Sequence, residues 1–171
     1  MTDRVLAAGA ILREARPDDV PGMFARIVDL AVYELEPDAV VGTEEMLREA
    51  LFGADPSVFA HVIERDGEIL GIAIWFLNYS TWTGRLGIYL EDLFVLESER
   101  GNGYGQALLR ELAAVCIERG YSRLQWSVLD WNEPSIAFYR ALGAEALDEW
   151  TTFRVSGDAL AELARRESPR S

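Results

Sequence analysis

A strand followed at once by a glycine-rich turn and a helix is the feature that most constrains this chain. The apolar run that ends at Val95 is typical of a buried strand. After a short loop, residues 100–106 read Arg-Gly-Asn-Gly-Tyr-Gly-Gln, so every second position from 101 to 105 is glycine. From Tyr104 onward apolar residues recur at helical spacing, and Gly120 predicts where that helix ends.

This glycine-rich turn suits a phosphate or pyrophosphate group. Glycines let the backbone approach a ligand closely, and the first N–H groups of the following helix have no intrahelical partner. The helix end carries partial positive charge, and Arg100 adds a forked cation. The sequence lacks the Lys-Ser/Thr pair of a nucleotide P-loop, and its glycines do not follow G-x-G-x-x-G. A tight turn that only starts a helix is the alternative interpretation.

The charge balance excludes some classes of partner. The chain has 171 residues and a net charge of −13, from 29 acidic and 16 basic residues, and all the basic residues are arginine. Binding to nucleic acid is therefore not expected, and the field favours a cationic partner. A solvated acidic surface that only keeps the protein in solution is the alternative.

Cysteine and histidine usage limits redox and metal chemistry. Cys116 is the single cysteine and His61 the single histidine, so neither an internal disulfide nor a metal site is expected. We interpret Cys116 as a core residue on the apolar face of its helix, and His61 lies in a predicted strand. The N-terminal segment has too short an apolar stretch for a signal peptide, and no apolar run reaches transmembrane length. We therefore expect a cytoplasmic protein that does not enter a membrane.

Periodicity and turn residues predict a single α/β domain over residues 1–171, with a core at about 11–156 and a disordered tail at 167–171. The expected strands are residues 11–15, 58–64, 69–79, the run ending at Val95, 123–128 and 150–156. The expected helices are residues 17–33, 43–51, the helix from 104, 132–142 and 158–166. This order, β-α-α-β-β-β-α-β-α-β, predicts a mixed sheet flanked by helices.

The spacing Arg-x-x-Gly-x-Gly, directly after a strand, resembles the pyrophosphate loop of the GCN5-related N-acetyltransferases (GNAT), which bind acetyl-coenzyme A (acetyl-CoA). Three longer segments resemble the spermidine/spermine (diamine) acetyltransferase branch, which includes relatives acting on thialysine. They are Tyr-Ser-Thr-Trp-Thr-Gly at 79–84, Tyr-Leu-Glu-Asp-Leu-Phe-Val at 89–95 and Trp-Asn-Glu-Pro-Ser-Ile-Ala-Phe-Tyr at 131–139. Residues 30–34 are similar as well, and the likeness covers residues 11–156. It implies the GNAT fold and acetyl-CoA as cosubstrate.

The resemblance also assigns donor-site residues. The turn would hold the pyrophosphate, backbone groups after the acidic pair would contact the pantetheine arm, and an N–H there would stabilise the oxyanion. The start of the helix at 132 would add further contacts. The residues assigned to acetyl-CoA are Leu93, Phe94, Val95, Arg100, Gly101, Asn102, Gly103, Tyr104, Gly105, Gln106, Asn132, Glu133 and Ser135.

Acetyl transfer to an amine requires that the amine lose a proton, because an amine with a pKa near 10 is only about 0.1 % neutral at pH 7, and a carboxylate near the acceptor can take that proton. Glu91 and Asp92 lie in the strand that feeds the turn, and without a bulge only one of them faces the cleft. The resemblance implies that Glu91 is the catalytic carboxylate beside the acceptor amine, and we expect both Glu91 and Asp92 to bind the acceptor. Two acids near a strand end, one exposed and one capping, are the alternative interpretation. Tyr33 and Glu34 also match acceptor positions, although an ordinary helix end with a solvated acid explains them equally well.

The leaving thiolate needs a proton donor, and Tyr139 matches the general acid of the family. A phenol has a pKa near 10 and stays protonated at neutral pH. Helical periodicity alone would make Tyr139 a packing residue, but the Asn-Glu-Pro-Ser-x-x-x-Tyr context favours the catalytic role.

The resemblance implies direct attack by a small cationic amine in a ternary complex, and it implies a homodimer. Three alternatives remain open from the sequence. The chain could be a coenzyme-A-binding sensor or interaction module without turnover, or its acceptor could be a protein amine or an antibiotic amine.

Overall fold

A computed structural model describes residues 3–165 of the chain. Its strands are β1 Arg4–Val5, β2 Ile11–Glu14, β3 Phe59–Arg65, β4 Glu68–Ser80, β5 Arg85–Val95 and β6 Leu124–Gln125. Its α-helices are α1 Val20–Tyr33, α2 Glu44–Phe52, α3 Tyr104–Arg119, α4 Glu133–Ala141 and α5 Gly157–Leu163. Short 3₁₀ turns connect several of these elements, among them Glu97–Glu99 between β5 and α3.

The six strands form one sheet in the order β1-β2-β3-β4-β5-β6. Pairing is antiparallel from β1 to β5 and parallel between β5 and β6. The sheet is therefore mixed and has helices beside it, so the predicted α/β class is confirmed. The hairpin signal Arg-Asp-Gly-Glu at 65–68 is confirmed as well, since it joins β3 to β4.

One face of the sheet packs against α1 and α2. Ile72 and Ile74 of β4 lie in a buried cluster with Phe94 of β5, Met23 of α1 and Leu51 of α2. This amphipathic packing supplies most of the stability of short helices such as α2, because burying a large apolar side chain stabilises by about 1.5–3 kcal/mol. The α1 helix is thereby fixed over the middle of β4 and β5.

The opposite face packs against α3. Gly71 precedes Ile72, so it faces the other way, and a Cβ atom placed on it would lie 3.7 Å from Cδ1 of Leu108. Leu108 and Leu112 of α3 are fully buried. Cys116 of the same helix is buried too, as predicted for a core residue. The close approach at Gly71 holds α3 against the strand that precedes the glycine-rich turn.

The buried histidine is a neutral core residue on this second face. His61 of β3 is 2% exposed, and its Nδ1 accepts a hydrogen bond from Nε1 of Trp75 at 3.2 Å. Burial lowers the pKa of His61, so the ring is neutral and carries its proton on Nε2. The Trp75 ring also stacks on Phe59, at a centroid distance of 4.6 Å.

The chain divides into two compact units, with the boundary between Ser127 and Val128. The first unit contains the sheet and the helices α1 to α3, and the second contains α4 and α5. The single domain expected over residues 1–171 stays a prediction. In residues 3–165 no helix combines the length and apolar character that crossing a membrane requires.

Two sequence expectations need correction, and one strand was missed. The strand expected at 150–156 does not form, because this segment has no ladder partner within residues 3–165, and Phe153 there is 90% exposed. The strand expected at 123–128 shortens to Leu124–Gln125, because β6 pairs with β5 only at two positions. The β1 strand was not predicted. The expected disordered tail at 167–171 lies outside the described residues.

Candidate active site

A β-bulge in β5 is the feature that organises the predicted acidic pair. Asp92 pairs with Ile74 of β4, whereas Leu90 pairs with Trp75, so Glu91 is an extra residue without a partner on β4. Paired residues in an antiparallel ladder share a face. Asp92 lies in the regular part of the ladder, so it shares the α1 face with Ile74 and Phe94, and the bulge leaves Glu91 unpaired directly beside it.

Burial and neighbouring charge perturb Asp92. Burial is the largest cause, and the charges of Glu91 and Glu34 add to it, so the pKa of Asp92 rises to about 6. Glu34 follows α1, and burial raises its pKa as well. The structure thus brings three of the predicted acceptor residues together: Glu91 is exposed at the bulge, Asp92 is more buried, and Glu34 lies within electrostatic range. A strongly perturbed carboxyl group is typical of a functional site.

The fourth predicted acceptor residue, Tyr33, contacts the glycine-rich turn. The guanidinium carbon of Arg100 lies 4.9 Å from the centre of the Tyr33 ring and 5.9 Å from that of Phe94. Nε of Arg100 also donates to the carbonyl oxygen of Val95 at 3.4 Å. The C-terminal end of α1 therefore adjoins the turn, so the residues predicted for acceptor and donor are neighbours in the first unit.

The turn itself has the backbone geometry expected of an anion site. Gly101 and Gly103 have φ angles of 85° and 77°, in the left-handed region that other residues rarely adopt. Gly103 is the N-cap of α3 and offers no side-chain acceptor to the first-turn N–H groups of the helix. Those N–H groups and the helix dipole suit an anionic ligand.

Two residues of the turn use their side chains within the fold. The Tyr104 hydroxyl donates to the carbonyl oxygen of Ala7 at 3.0 Å, and the residue is 2% exposed. Nδ2 of Asn102 donates to the carbonyl oxygen of Glu99 at 3.1 Å. Phe94 of β5, another residue predicted to contact the coenzyme, is buried as well. Because the side chains of Tyr104 and Phe94 lie inside the fold, only the backbone groups of these two residues can contact a ligand.

The strands β5 and β6 pair at two positions only. The last pair is Tyr89 with Gln125, and no strand within residues 3–165 continues along that edge of β5 toward Val95. The Tyr89 hydroxyl lies 2.9 Å from Oγ of Ser127, just beyond the last pair. An edge of this kind offers backbone N–H and C=O groups to an extended ligand, as expected for residues 93–95.

The remaining predicted residues lie in the second unit, on or beside α4. Oδ1 of Asn132 accepts from the backbone N–H of Ser135 at 3.3 Å, which confirms Asn132 as the helix cap. Glu133 is exposed in the first turn. Tyr139 lies two turns into α4, partly buried, with its ring centre 5.3 Å from that of Phe138. The helix position predicted for Tyr139 is confirmed, and its catalytic role stays a prediction.

Sequence reasoning missed two features of this region. The bulge had one available signal, the two adjacent acids inside an apolar run, but periodicity alone cannot locate an extra residue. The second missed feature is an ion pair between Arg65 and Glu99 beside the turn. No local sequence pattern could predict it, because the two residues are 34 positions apart. Within residues 3–165, no group of three or more His, Cys, Asp or Glu residues is arranged to hold a metal ion.

Comparisons with known proteins cover most of the chain. Residues 25–144 match the family model of the Acetyltransferase (GNAT) family. A thialysine N-epsilon-acetyltransferase of Sus scrofa is 38% identical over 168 residues, which cover 92% of this chain and 98% of that protein. An L-ornithine N5-acetyltransferase of Arabidopsis thaliana is 29% identical, over 87% of this chain and 85% of that protein. The family match includes the bulge, the turn and α4.

A solved structure supports the fold. An integron cassette protein from the mobile metagenome of V. cholerae superposes with a TM-score of 0.78, over 92% of this chain and 98% of that chain. The two sequences are 24% identical, so the likeness concerns the arrangement of strands and helices alone.

The acidic cluster generates a direct test. We expect the Asp92 carboxyl carbon to titrate in NMR with a midpoint of about 6, because burial and like charge disfavour its ionised form. Glu91→Gln should lower this midpoint, and Glu34→Gln should lower it less. Glu97→Gln is the matched control, since this exposed acid in the loop after β5 does not act on Asp92. A wild-type midpoint at the ordinary value near 3.8 would contradict the arrangement.

Proposed function

Because the chain belongs to the GNAT acetyltransferase family, we propose that it transfers an acetyl group from acetyl-CoA to the primary amine of a small cationic acceptor. The polyamines, the diamines and amino acids with a side-chain amine, such as thialysine, form the substrate class. The amine attacks the thioester directly in a ternary complex. No metal takes part in this proposal.

The bulge in β5 is the observation that carries the acceptor assignment. It puts the unpaired Glu91 directly beside Asp92, which lies on the α1 face near Glu34, where burial makes ionisation of Asp92 unfavourable. An ammonium group at this position offsets the repulsion among the carboxylates, and its charge favours the ionised form of Asp92. The Tyr33 ring at the end of α1 adds an aromatic surface of the kind that binds alkyl-ammonium groups.

The first unit also fits the donor. The uncapped start of α3 at Gly103 suits a pyrophosphate, and the unpaired edge of β5 at 93–95 suits the amide groups of a pantetheine arm. Acetyl-CoA, the acetyl donor of the GNAT family, supplies an activated thioester. From α4 the proposal adds Asn132, Glu133 and Ser135 as contacts.

Proton transfers complete the proposed mechanism. Glu91, exposed at the bulge, takes the proton of the bound ammonium directly or through one water. The neutral amine attacks, and a backbone N–H of residues 93–95 stabilises the oxyanion. The new N–C bond forms, the C–S bond breaks, and the Tyr139 phenol gives its proton to the departing thiolate. The second proton of the attacking nitrogen then leaves through solvent, and solvent also returns a proton to the tyrosinate and takes the proton held by Glu91. Asp92 and Glu34 hold the ammonium group before it loses its proton and stabilise the positive charge that returns to the nitrogen when it attacks.

The names of the relatives support this substrate class. One is named for thialysine and another for L-ornithine, and both are amino acids with a terminal side-chain amine. The acidic cluster fits the ammonium end that these molecules share with diamines and polyamines. Protein amines and antibiotic amines are therefore included as comparison acceptors in the test of this substrate class.

Assembly and location form a further part of the proposal. The branch that the sequence resembles is dimeric, and on this basis we propose a homodimer. A light-scattering mass near the 19.1 kDa of one chain would contradict it. The single cysteine, buried in α3, is compatible with the proposed cytoplasmic location.

An amine panel tests the function. With acetyl-CoA in excess, release of free thiol should accompany addition of thialysine, ornithine, putrescine or spermidine. Lysine-containing peptides and an aminoglycoside are the comparison acceptors. Preferential turnover of either comparison group would overturn the substrate class, and coenzyme binding without thiol release for any amine would indicate a sensor.

Replacing Tyr139 by Phe tests the general acid. Loss of one hydroxyl should lower kcat by roughly a hundred- to ten-thousand-fold, the usual scale for general acid catalysis, while acetyl-CoA affinity stays the same. Tyr79→Phe is the matched control, because Tyr79 is 58% exposed in β4 and has no proposed role. Full kcat in the Tyr139→Phe protein would make its phenol structural.

Replacing Gly103 by Ala tests the phosphate site. The matched control is Gly120→Ala, since Gly120 caps the other end of α3 with a similar φ angle of 68° and has equally open surroundings. Both changes should cost about 1–2 kcal/mol of unfolding free energy through left-handed strain. Only Gly103→Ala should also weaken acetyl-CoA binding, by about tenfold or more, measured by calorimetry. Equal affinities in the two variants would move the phosphate site elsewhere.

A further inference from the structure

The carboxylate of Glu99 lies immediately before the glycine-rich turn and is held by two side chains. Nη2 of Arg65 donates to Oε1 of Glu99 at 2.6 Å, and Nη1 donates to Oε2 at 3.1 Å. Nδ2 of Asn102 lies 3.4 Å from Oε2 and also donates to the Glu99 carbonyl oxygen at 3.1 Å. Arg65, Glu99 and Asn102 thus form a hydrogen-bonded set. At one end this set belongs to the turn, because Asn102 lies between Gly101 and Gly103, the two glycines with left-handed φ angles.

The other end of the set is part of the sheet. Arg65 is the last residue of β3 and pairs with Glu68, the first residue of β4. The backbone N–H of Leu96, just after β5, donates to the carbonyl oxygen of Leu70 at 2.9 Å. The loop between β5 and α3 is thus attached to the β3–β4 hairpin by a backbone bond and by a bidentate side-chain pair. Such forked pairs fix orientation as well as distance.

The pair also places an acidic charge beside the proposed anion site. The hydrogen bonds from Arg65 are the largest cause that keeps the pKa of Glu99 below its usual value, so Glu99 is ionised at neutral pH. An unpaired carboxylate one residue before Arg100 would repel a pyrophosphate. The Arg65 guanidinium compensates that charge and leaves the Arg100 guanidinium uncommitted to Glu99.

We propose that Arg65 is a positioning residue for acetyl-CoA: through Glu99 and Asn102 it holds the glycine-rich turn in place and cancels the negative charge beside it. This inference rests on the proposed function, because it concerns the pyrophosphate of the same donor. Arg65 itself does not touch the reacting atoms.

A purely structural ion pair would behave differently. The Arg65 and Glu99 side chains are 29% and 15% exposed, and ion pairs that water can reach contribute little to folding stability. Loss of the pair should therefore change ligand binding more than the free energy of unfolding. It should also act only on ligands that contain the pyrophosphate.

Three variants and two ligands separate these effects. The variants are Arg65→Gln, Glu99→Gln and the double variant, and the ligands are acetyl-CoA and S-acetylpantetheine, which lacks the pyrophosphate. The matched control is Arg16→Gln, which removes an exposed ion pair of 3.0 Å to Asp3, near the N-terminus of the chain. Calorimetry gives Kd without an acceptor, and steady-state kinetics give KM and kcat with whichever amine the wild type uses.

We expect Arg65→Gln to raise Kd and KM for acetyl-CoA by about tenfold, with kcat nearly unchanged at saturation. Binding of S-acetylpantetheine should not change, and the melting temperature should match that of Arg16→Gln. Glu99→Gln and the double variant both lose the bidentate pair but leave no unpaired carboxylate beside the turn, so each should bind acetyl-CoA more weakly than the wild type and more tightly than Arg65→Gln.

Three results would overturn the inference. They are an Arg65→Gln affinity equal to that of Arg16→Gln, an equal loss for both ligands, and a double variant as weak as Arg65→Gln. A wild-type protein that binds neither ligand would instead refute the proposed function.

Discussion

The antiparallel pairing of β4 with β5 is the interaction on which the first unit depends. The ladder runs from the pair of Gly71 with Val95 to that of Ser80 with Arg85. The α1 helix covers one face of this ladder and α3 covers the other. The acidic cluster and the glycine-rich turn are therefore both positioned by the same two strands. A shift of β5 along β4 would move the acidic cluster and the glycine-rich turn together. Precise placement on a rigid pair of strands is what proton transfer and thioester attack require.

Without a ligand, the repulsion among the carboxylates of the acidic cluster lowers the stability of the folded protein. Asp92 is more buried than Glu91 and lies near Glu91 and Glu34, and burial together with these charges raises its pKa because its ionised form is unfavourable there. A cationic acceptor reverses this balance. The glycine-rich turn is opposite in character, with uncapped N–H groups at the start of α3 and the guanidinium of Arg100. In the proposed function, the cationic acceptor and the anionic coenzyme would therefore bind to adjoining regions of opposite polarity.

Local signals in the sequence predicted most of the elements, because their causes are local. The Arg-Asp-Gly-Glu hairpin, the Asn132 cap and the glycine-rich turn each involve residues within a few positions of one another. Features that depend on distant partners were missed. The bulge exists only relative to β4, and the segment at 150–156 has strand-like residues but no ladder partner within residues 3–165. The same holds for the ion pair between Arg65, at the end of β3, and Glu99, in the loop between β5 and α3.

The bulge can also be considered as a single inserted residue. Leu90 and Asp92 already pair with the consecutive residues Trp75 and Ile74, so removing residue 91 would leave an unbroken ladder with every flanking pair intact. The sheet would keep its register while the loss of one codon removed the most exposed carboxylate of the cluster. An ancestor with a regular hairpin could therefore have acquired this acid by a one-codon insertion that disturbed no other cross-strand pair. The proposed catalytic acid is in that sense separable from the pairing of the strands that carry it.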